Sequence, residues 1–448
     1  MGSRGIIGVF FLFLLVSGCD KKNTLFTTVP NSKSNVDFLN QLNETDSINI
    51  NEYLYAYNGG GVGVGDFNKD GLTDIYFTGN QVSNKLYINQ GDFKFKDETQ
   101  KAGVQGLIGD KNWTTGVTVA DVNADGWLDI YVSQVADGKR FEGHNLLYIN
   151  NTDGTFTEKA KDYGLDLKGY GQQALFFDYD GDGDLDMFQL NHSVHEADVY
   201  VKAEKRNVRD SLSGVSEVAG IYGGATGYGL SVLVSDIDNN GCPDIYVSND
   251  FHDNDYLYYN QCDGTFTEGI STSMDLSSNF SMGSDAADIN NDGLIDVMTL
   301  DMKPEKEVIR KSSAGEDPYY IYEYKKSFGF GEQSPRNMLQ LNQGNSVSGN
   351  TRFSELARYS GVEATDWSWS VLLADYDNDG NKDIYITNGI LRRPNDLDYI
   401  NYDYPIKAGK VPSLQLVNKM PEGKIPNYAY RNQGNLKFEN VSKEWGLD

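Results

Sequence analysis

The sequence predicts an all-β fold, a β-propeller of four-stranded antiparallel blades, on three observations. An acidic nine-residue motif recurs six times at a nearly fixed interval. Each copy stands between two short strand-like runs, and most copies are followed by a second hairpin signal. The copies are DFNKDGLTD (66–74), DVNADGWLD (121–129), DYDGDGDLD (178–186), DIDNNGCPD (236–244), DINNDGLID (288–296) and DYDNDGNKD (375–383). Their first aspartates lie 55, 57, 58, 52 and 87 residues apart. An insertion in the polar, Lys- and Glu-rich stretch 302–333 accounts for the long interval, and a second insertion is expected at about 390–425.

The flanking runs justify the strands. GGGVGVG, TTGVTVA, QQALFF, GLSVLVS, MGSDAA and WSVLLA precede the motifs; IYFTG, IYVSQ, MFQLN, IYVSN, VMTLD and IYITN follow them. These runs are short and rich in β-branched and aromatic residues, and several are apolar nearly throughout, as strands buried on both faces are. The second hairpin is read from LYINQGDFKFKDET (86–99), LYINNTDGTFTEKA (147–160), LYYNQCDGTFTEGI (257–270), LQLNQGNSVSGNTRFSEL (339–356) and YRNQGNLKFENVS (430–442), where Asn, Asp and Gly cluster between apolar runs. The third unit lacks this signal in 191–224, so its outer half is unassigned. A β-solenoid fits less well, since its repeats are shorter, and a two-sheet sandwich does not explain the period. Six motif-bearing blades are therefore expected. The stretch 25–38 reads as an orphan outer strand although 437–448 also ends on one, which points to a seven-blade type with its last motif beyond Asp448.

Residues 1–18, with Arg4 ahead of an apolar run and small residues after it, read as a secretory signal peptide. Val16-Ser17-Gly18-Cys19 is similar to a bacterial lipobox, which implies lipidation of Cys19 and a short linker at 19–24 before the propeller at 25–448. The expected location is extracytoplasmic, at a bacterial outer membrane or cell surface, with the membrane touched only through the lipid. The formal net charge of −27 repels phosphate backbones and excludes nucleic acid as a partner.

The motif spacing is that of a calcium loop. Calcium takes six to eight hard oxygens, and Asp-x-Asx-x-Asx-Gly-x-x-Asp supplies them from side chains at positions one, three, five and nine and a backbone carbonyl at seven, with Gly at six for the bend. The expected ligands are Asp66, Asn68, Asp70, Leu72 and Asp74 in the first loop, and Asp121, Asn123, Asp125, Trp127 and Asp129 in the second. They are Asp178, Asp180, Asp182, Asp184 and Asp186 in the third, and Asp236, Asp238, Asn240, Cys242 and Asp244 in the fourth. Asp288, Asn290, Asp292, Leu294 and Asp296 form the fifth set; Asp375, Asp377, Asp379, Asn381 and Asp383 form the sixth. An EF-hand is excluded, because position twelve is Phe77, Val132, Gln189, Val247, Thr299 or Ile386 rather than Glu, and the flanks are strands. The motifs hold 21 aspartates, which repel one another without a cation; up to six Ca2+ are expected, and the fourth loop, with Asn240 at position five, is expected to bind among the weakest.

At these residues, with GGGVGVGDFNKDGLTDIYFTGNQVSNKLYIN (59–89) closest in style, the sequence resembles the FG-GAP or VCBS repeat family, the broad class of the integrin α-chain propeller. Similar bacterial exported proteins often carry an ASPIC/UnbV-type domain further along. The resemblance covers about 59–448 and implies calcium on the loops, an extracytoplasmic location and a role in adhesion or ligand binding, with a glycan or protein partner.

Cys242 and Cys262 lie in two turns expected at the same end of one blade, which makes a disulfide sterically feasible. His192, His195 and His252, with Asp250, Asp253 and Asp255, follow second strands and would reach the end opposite the loops, as a candidate ligand face. Trp367 and Trp369 read as packing. No nucleophile elbow, zincin helix, phosphate loop or dinucleotide fingerprint is present, so no catalytic residues are assigned and a binding module is expected. The alternative is a polysaccharide-acting enzyme or accessory subunit on the same scaffold.

Overall fold

Each acidic loop closes an antiparallel hairpin, and the hairpins stand side by side. The structure is a computed structural model describing residues 24–447, apart from 108, 110, 194–215, 217, 223–226, 252, 316, 347–348 and 407–411. The signal peptide and Cys19 lie outside the described residues, and so do His195 and His252. Among the described residues no helix is long and apolar enough to cross a membrane.

Unit one pairs Val62–Gly65, Asp74–Phe77, Lys85–Asn89 and Phe95–Asp97 in chain order, all antiparallel. Units two, four, five and six repeat this four-stranded meander. The two insertions fall between the second and third strands of units five and six, and carry the helices Glu307–Ser312, Tyr319–Ser327, Leu397–Ile406 and Ser413–Val417. Unit three differs: Gly171–Phe177 and Asp186–Asn191 form a two-stranded sheet. Among the described residues, the expectation of six motif blades, or of seven in all, is thus corrected to five four-stranded blades plus one hairpin. The physical reason was already local, since 191–224 carries no Asn-Gly turn to start an outer hairpin.

The core lies between neighbouring sheets. Tyr76 and Leu86 of unit one pack with Ile130, Val132 and Tyr148 of unit two. Tyr131 and Leu147 meet Ala174 of unit three, whose Leu190 meets Val232 and Ile245 of unit four. Tyr246 and Leu257 pack with Val297 of unit five, whose Met298 and Leu339 pack with Ile384 and Tyr430 of unit six. The glycine-rich first strand follows from this stacking. A Cβ on Gly61 would stand 2.8 Å from the backbone N of Val117, and one on Gly63 would stand 2.9 Å from Val119 Cγ2, so glycine lets units one and two approach closely.

The stretch 25–38 is not an outer strand, which corrects that expectation. It holds the four-residue helix Asn31–Ser34 and otherwise runs as a strap between the last and first units. Phe26 N–H donates to the Trp445 carbonyl at 2.9 Å, while Phe38 stacks on Phe77 at 4.9 Å. Further on, Ile48, Tyr53 and Tyr55 bury themselves with Trp113, Val135 and Tyr228. The four-stranded blades are held by strand pairing as well as packing; this segment is held by aromatic burial.

Candidate metal and ligand sites

The six loops share one backbone shape. Position six is glycine with φ between 85° and 93° at Gly71, Gly126, Gly183, Gly241, Gly293 and Gly380, a region in which a Cβ is strained. Position four is also left-handed, at Lys69, Ala124, Asn239, Asn291 and Asn378. In the first loop Asp66 accepts the N–H of Asp70 at 3.0 Å and that of Gly71 at 2.8 Å, which curls the turn around its carboxylate. The same pair of bonds recurs at Asp121, Asp236, Asp288 and Asp375.

Position nine is buried at the root of the loop. One oxygen of Asp74 accepts Phe67 N–H at 3.0 Å and the other accepts Asn89 N–H at 2.8 Å. Asp129, Asp244, Asp296 and Asp383 repeat both contacts. Burial pushes these carboxyls up, and the charges of the loop neighbours add to it: Asp244 rises to about 7 and Asp296 to about 6, with Asp74, Asp129, Asp186 and Asp383 raised as well. Clustered carboxylates that raise one another in this way are the electrostatic counterpart of a cation site.

Three loops bring three carboxylates together. Asp178, Asp180 and Asp186, then Asp236, Asp238 and Asp244, then Asp375, Asp377 and Asp383 each offer oxygens within 4.8 Å of one another. These are positions one, three and nine. In loops one, two and five position three is Asn68, Asn123 or Asn290, whose amide oxygen is an equally hard donor. Position five belongs to none of the trios. The Asp70 carboxylate accepts Leu72 N–H at 2.9 Å, and Asp125, Asn240, Asp292 and Asp379 do the same for the residue two places on. The donor set is all oxygen, around a turn that presents it to solvent, and it fits calcium.

One residue escaped the sequence reading. An Asn toward the end of the third strand in units two, four, five and six, a turn signal in the sequence, fastens the loops to one another. Asn150 Nδ2 donates to the Phe67 carbonyl of the preceding unit at 3.0 Å, and Asn260 to Tyr179 at 2.7 Å. Asn342 reaches Ile237 at 2.9 Å, and Asn432 reaches Ile289 at 3.0 Å. Its signal was visible as the recurrent LYIN, LYYN, LQLN and YRN endings. Cys242 and Cys262 form a disulfide with Cα atoms 5.7 Å apart, which ties the fourth loop to the turn of the outer hairpin.

At the opposite end the candidate ligand face is corrected in part. His192 is not a pocket residue but a core residue, 4% exposed, with Nε2 3.0 Å from Tyr53 Oη and the rings of Tyr55 and Tyr170 within 4.8 Å. Burial lowers its pKa to about 4, so it is neutral at physiological pH. Asp250, Asp253 and Asp255 are buried too, each accepting a tyrosine hydroxyl, from Tyr55, Tyr256 and Tyr246 respectively. Trp367 is buried, and the Trp369 indole donates to the Gly389 carbonyl.

The FG-GAP-like repeat model matches residues 40–132, 135–188 and 236–299. Among curated proteins the chain is similar to integrin alpha-8 of Gallus gallus, 27% identical over 160 residues, covering 32% of this chain and 15% of the integrin. The chain therefore spans a small part of that relative's length. Among solved structures it matches the V. cholerae biofilm matrix protein Bap1 at a TM-score of 0.29 and 13% identity, over 54% of this chain and 34% of that one.

Proposed function

From the premise that the chain is an FG-GAP-repeat β-propeller protein, we propose that it is a calcium-loaded module that binds a glycan or protein ligand outside the cytoplasm, held at the envelope by a lipid on Cys19. The observation that supports calcium is the convergence of positions one, three and nine within 4.8 Å in three loops, with the same turn geometry in the others. Asp66, Asn68 and Asp74, and their counterparts in each loop, would hold the ion. The carbonyl at position seven and the carboxylate at five would complete its shell. Calcium would neutralise the loop roots and fasten the turns. It would do no chemistry. Six ions would offset twelve of the 27 net negative charges.

The ligand-binding reading rests on the repeat class and on the absence of any catalytic motif in the sequence. It is tested by equilibrium dialysis against calcium, followed by binding of envelope glycans and proteins with and without chelator. A chain that takes up less than one calcium per molecule, or that turns over a polysaccharide, overturns it.

A further inference from the structure

We propose that the cleft between units one and two is a binding site for a neutral sugar unit, which assigns a place to the ligand of the module read above and rests on that reading. The cleft encloses about 410 Å³, within the range of small-ligand sites. Its floor is apolar, built from Phe67 and Phe156, buried rings 6.1 Å apart that belong to different units. One wall is Trp127, which is half-buried and lines the space. Position seven carries an aromatic side chain in this loop alone; the others have Leu72, Asp184, Cys242, Leu294 and Asn381. Core packing does not call for an indole there, since the other five units do without one.

Lys69 of the first loop crosses the unit boundary and places Nζ 4.4 Å from the Trp127 ring centroid. The rim is polar and alternates in sign. Glu98 is paired with Lys101 at 3.7 Å and also with Lys96, while Asp153 sits exposed on the facing turn. A flat aromatic wall beside carboxylate, amide and ammonium groups is what a sugar needs, with an apolar C–H face on one side and hydroxyls that both donate and accept around its edge. A cationic ligand is disfavoured because Lys69 already takes the ring's cation contact. An anionic one is disfavoured by the −27 net charge.

Phe67 and Asn68 of the first acidic loop and Trp127 of the second line the cleft, so the state of these loops bears on its shape. The test is calorimetric titration of the full chain in calcium with cellobiose, maltose, mannobiose and chitobiose, with bound calcium measured on the same samples. At least one sugar is expected to bind. W127A is expected to weaken it tenfold or more, D153A several-fold, and W127F threefold or less. D153A keeps the test open if W127A fails to fold, because Asp153 is exposed. Sugar binding unchanged in both variants overturns the cleft but not the module. No sugar bound by a calcium-loaded chain overturns the sugar assignment, and a chain without calcium overturns the reading beneath it.

Discussion

Asn432 joins two units with one side chain. Its Nδ2 donates to Ile289 of unit five and to Lys382 of its own loop, both at 3.0 Å, while its N–H meets Asp383 at 2.8 Å. Asn432→Ala leaves two buried carbonyls without that donor, at a cost of about 1–3 kcal/mol. Asn89 is the internal control, because its side chain bonds only within its own unit, Nδ2 donating to Thr73 in an exposed contact and Oδ1 accepting Gly91 N–H. Asn89→Ala should cost about 1 kcal/mol or less. Urea unfolding of both variants checks the ranking, and equal losses would refute the inter-unit role. A second prediction concerns pH. Burial pushes Asp250 up to about 8 and Asp255 to about 7, against about 3.9 in an unfolded chain. The folded state then holds protons that the unfolded state releases. Their contribution to stability is complete below about pH 4 and is lost as pH rises through 7 and 8. In saturating calcium the urea midpoint should fall between pH 5.5 and 8.5, and Asp250→Asn, which cannot ionise, should narrow that fall. An unchanged difference would remove Asp250 from the account.

At the scale of the element, the fourth loop is distinct. It is the loop with Asn240 at position five, and it is fixed by the disulfide to a turn 20 residues on. Closing a loop of that size restricts the unfolded chain by about 3 kcal/mol in the chain-entropy account. The paired substitution of Cys242 and Cys262 by serine should lower unfolding stability by a similar amount, read by denaturant titration with and without reductant. A drop confined to the unsubstituted protein on reduction supports the bond; no drop in either refutes its role. Unit three is the opposite case. Among the described residues it has two strands and no third-strand Asn behind Asp178, Asp180 and Asp186, and Asp186 is only half-buried. Its Asp184 is pushed up by the adjacent Asp182 carboxylate.

For the whole molecule, the proposed calcium in six loops tied by their Asn links would make stability depend on calcium collectively. Each site half-filled at its own dissociation constant adds little, whereas calcium at a hundredfold excess adds about 2.7 kcal/mol per site. Chelation should therefore lower the melting temperature by many degrees, and calcium should restore it. Scanning calorimetry in chelator and in calcium decides this, and superimposed traces would rule calcium out as a structural ligand. The strap from Phe26 to Phe38 links the last and first units, Phe26 meeting Trp445 and Phe38 stacking on Phe77.

The sequence alone determined the hairpins and their acidic loops, because turn chemistry and alternation act within about ten residues and repeat visibly. Asp at position nine followed by a β-branched or aromatic run is such a local signature. It determined as well that Cys242 and Cys262 lie in turns at one end of a blade. Only the tertiary structure decided that unit three shows two strands among the described residues, that 25–38 is a strap, and that His192 is enclosed by Tyr53, Tyr55 and Tyr170 from distant parts of the chain. It also decided that position five braces the turn while one, three and nine converge. Those outcomes depend on which surfaces meet across units, and contacts between residues a hundred positions apart leave no periodic mark on the chain that makes them.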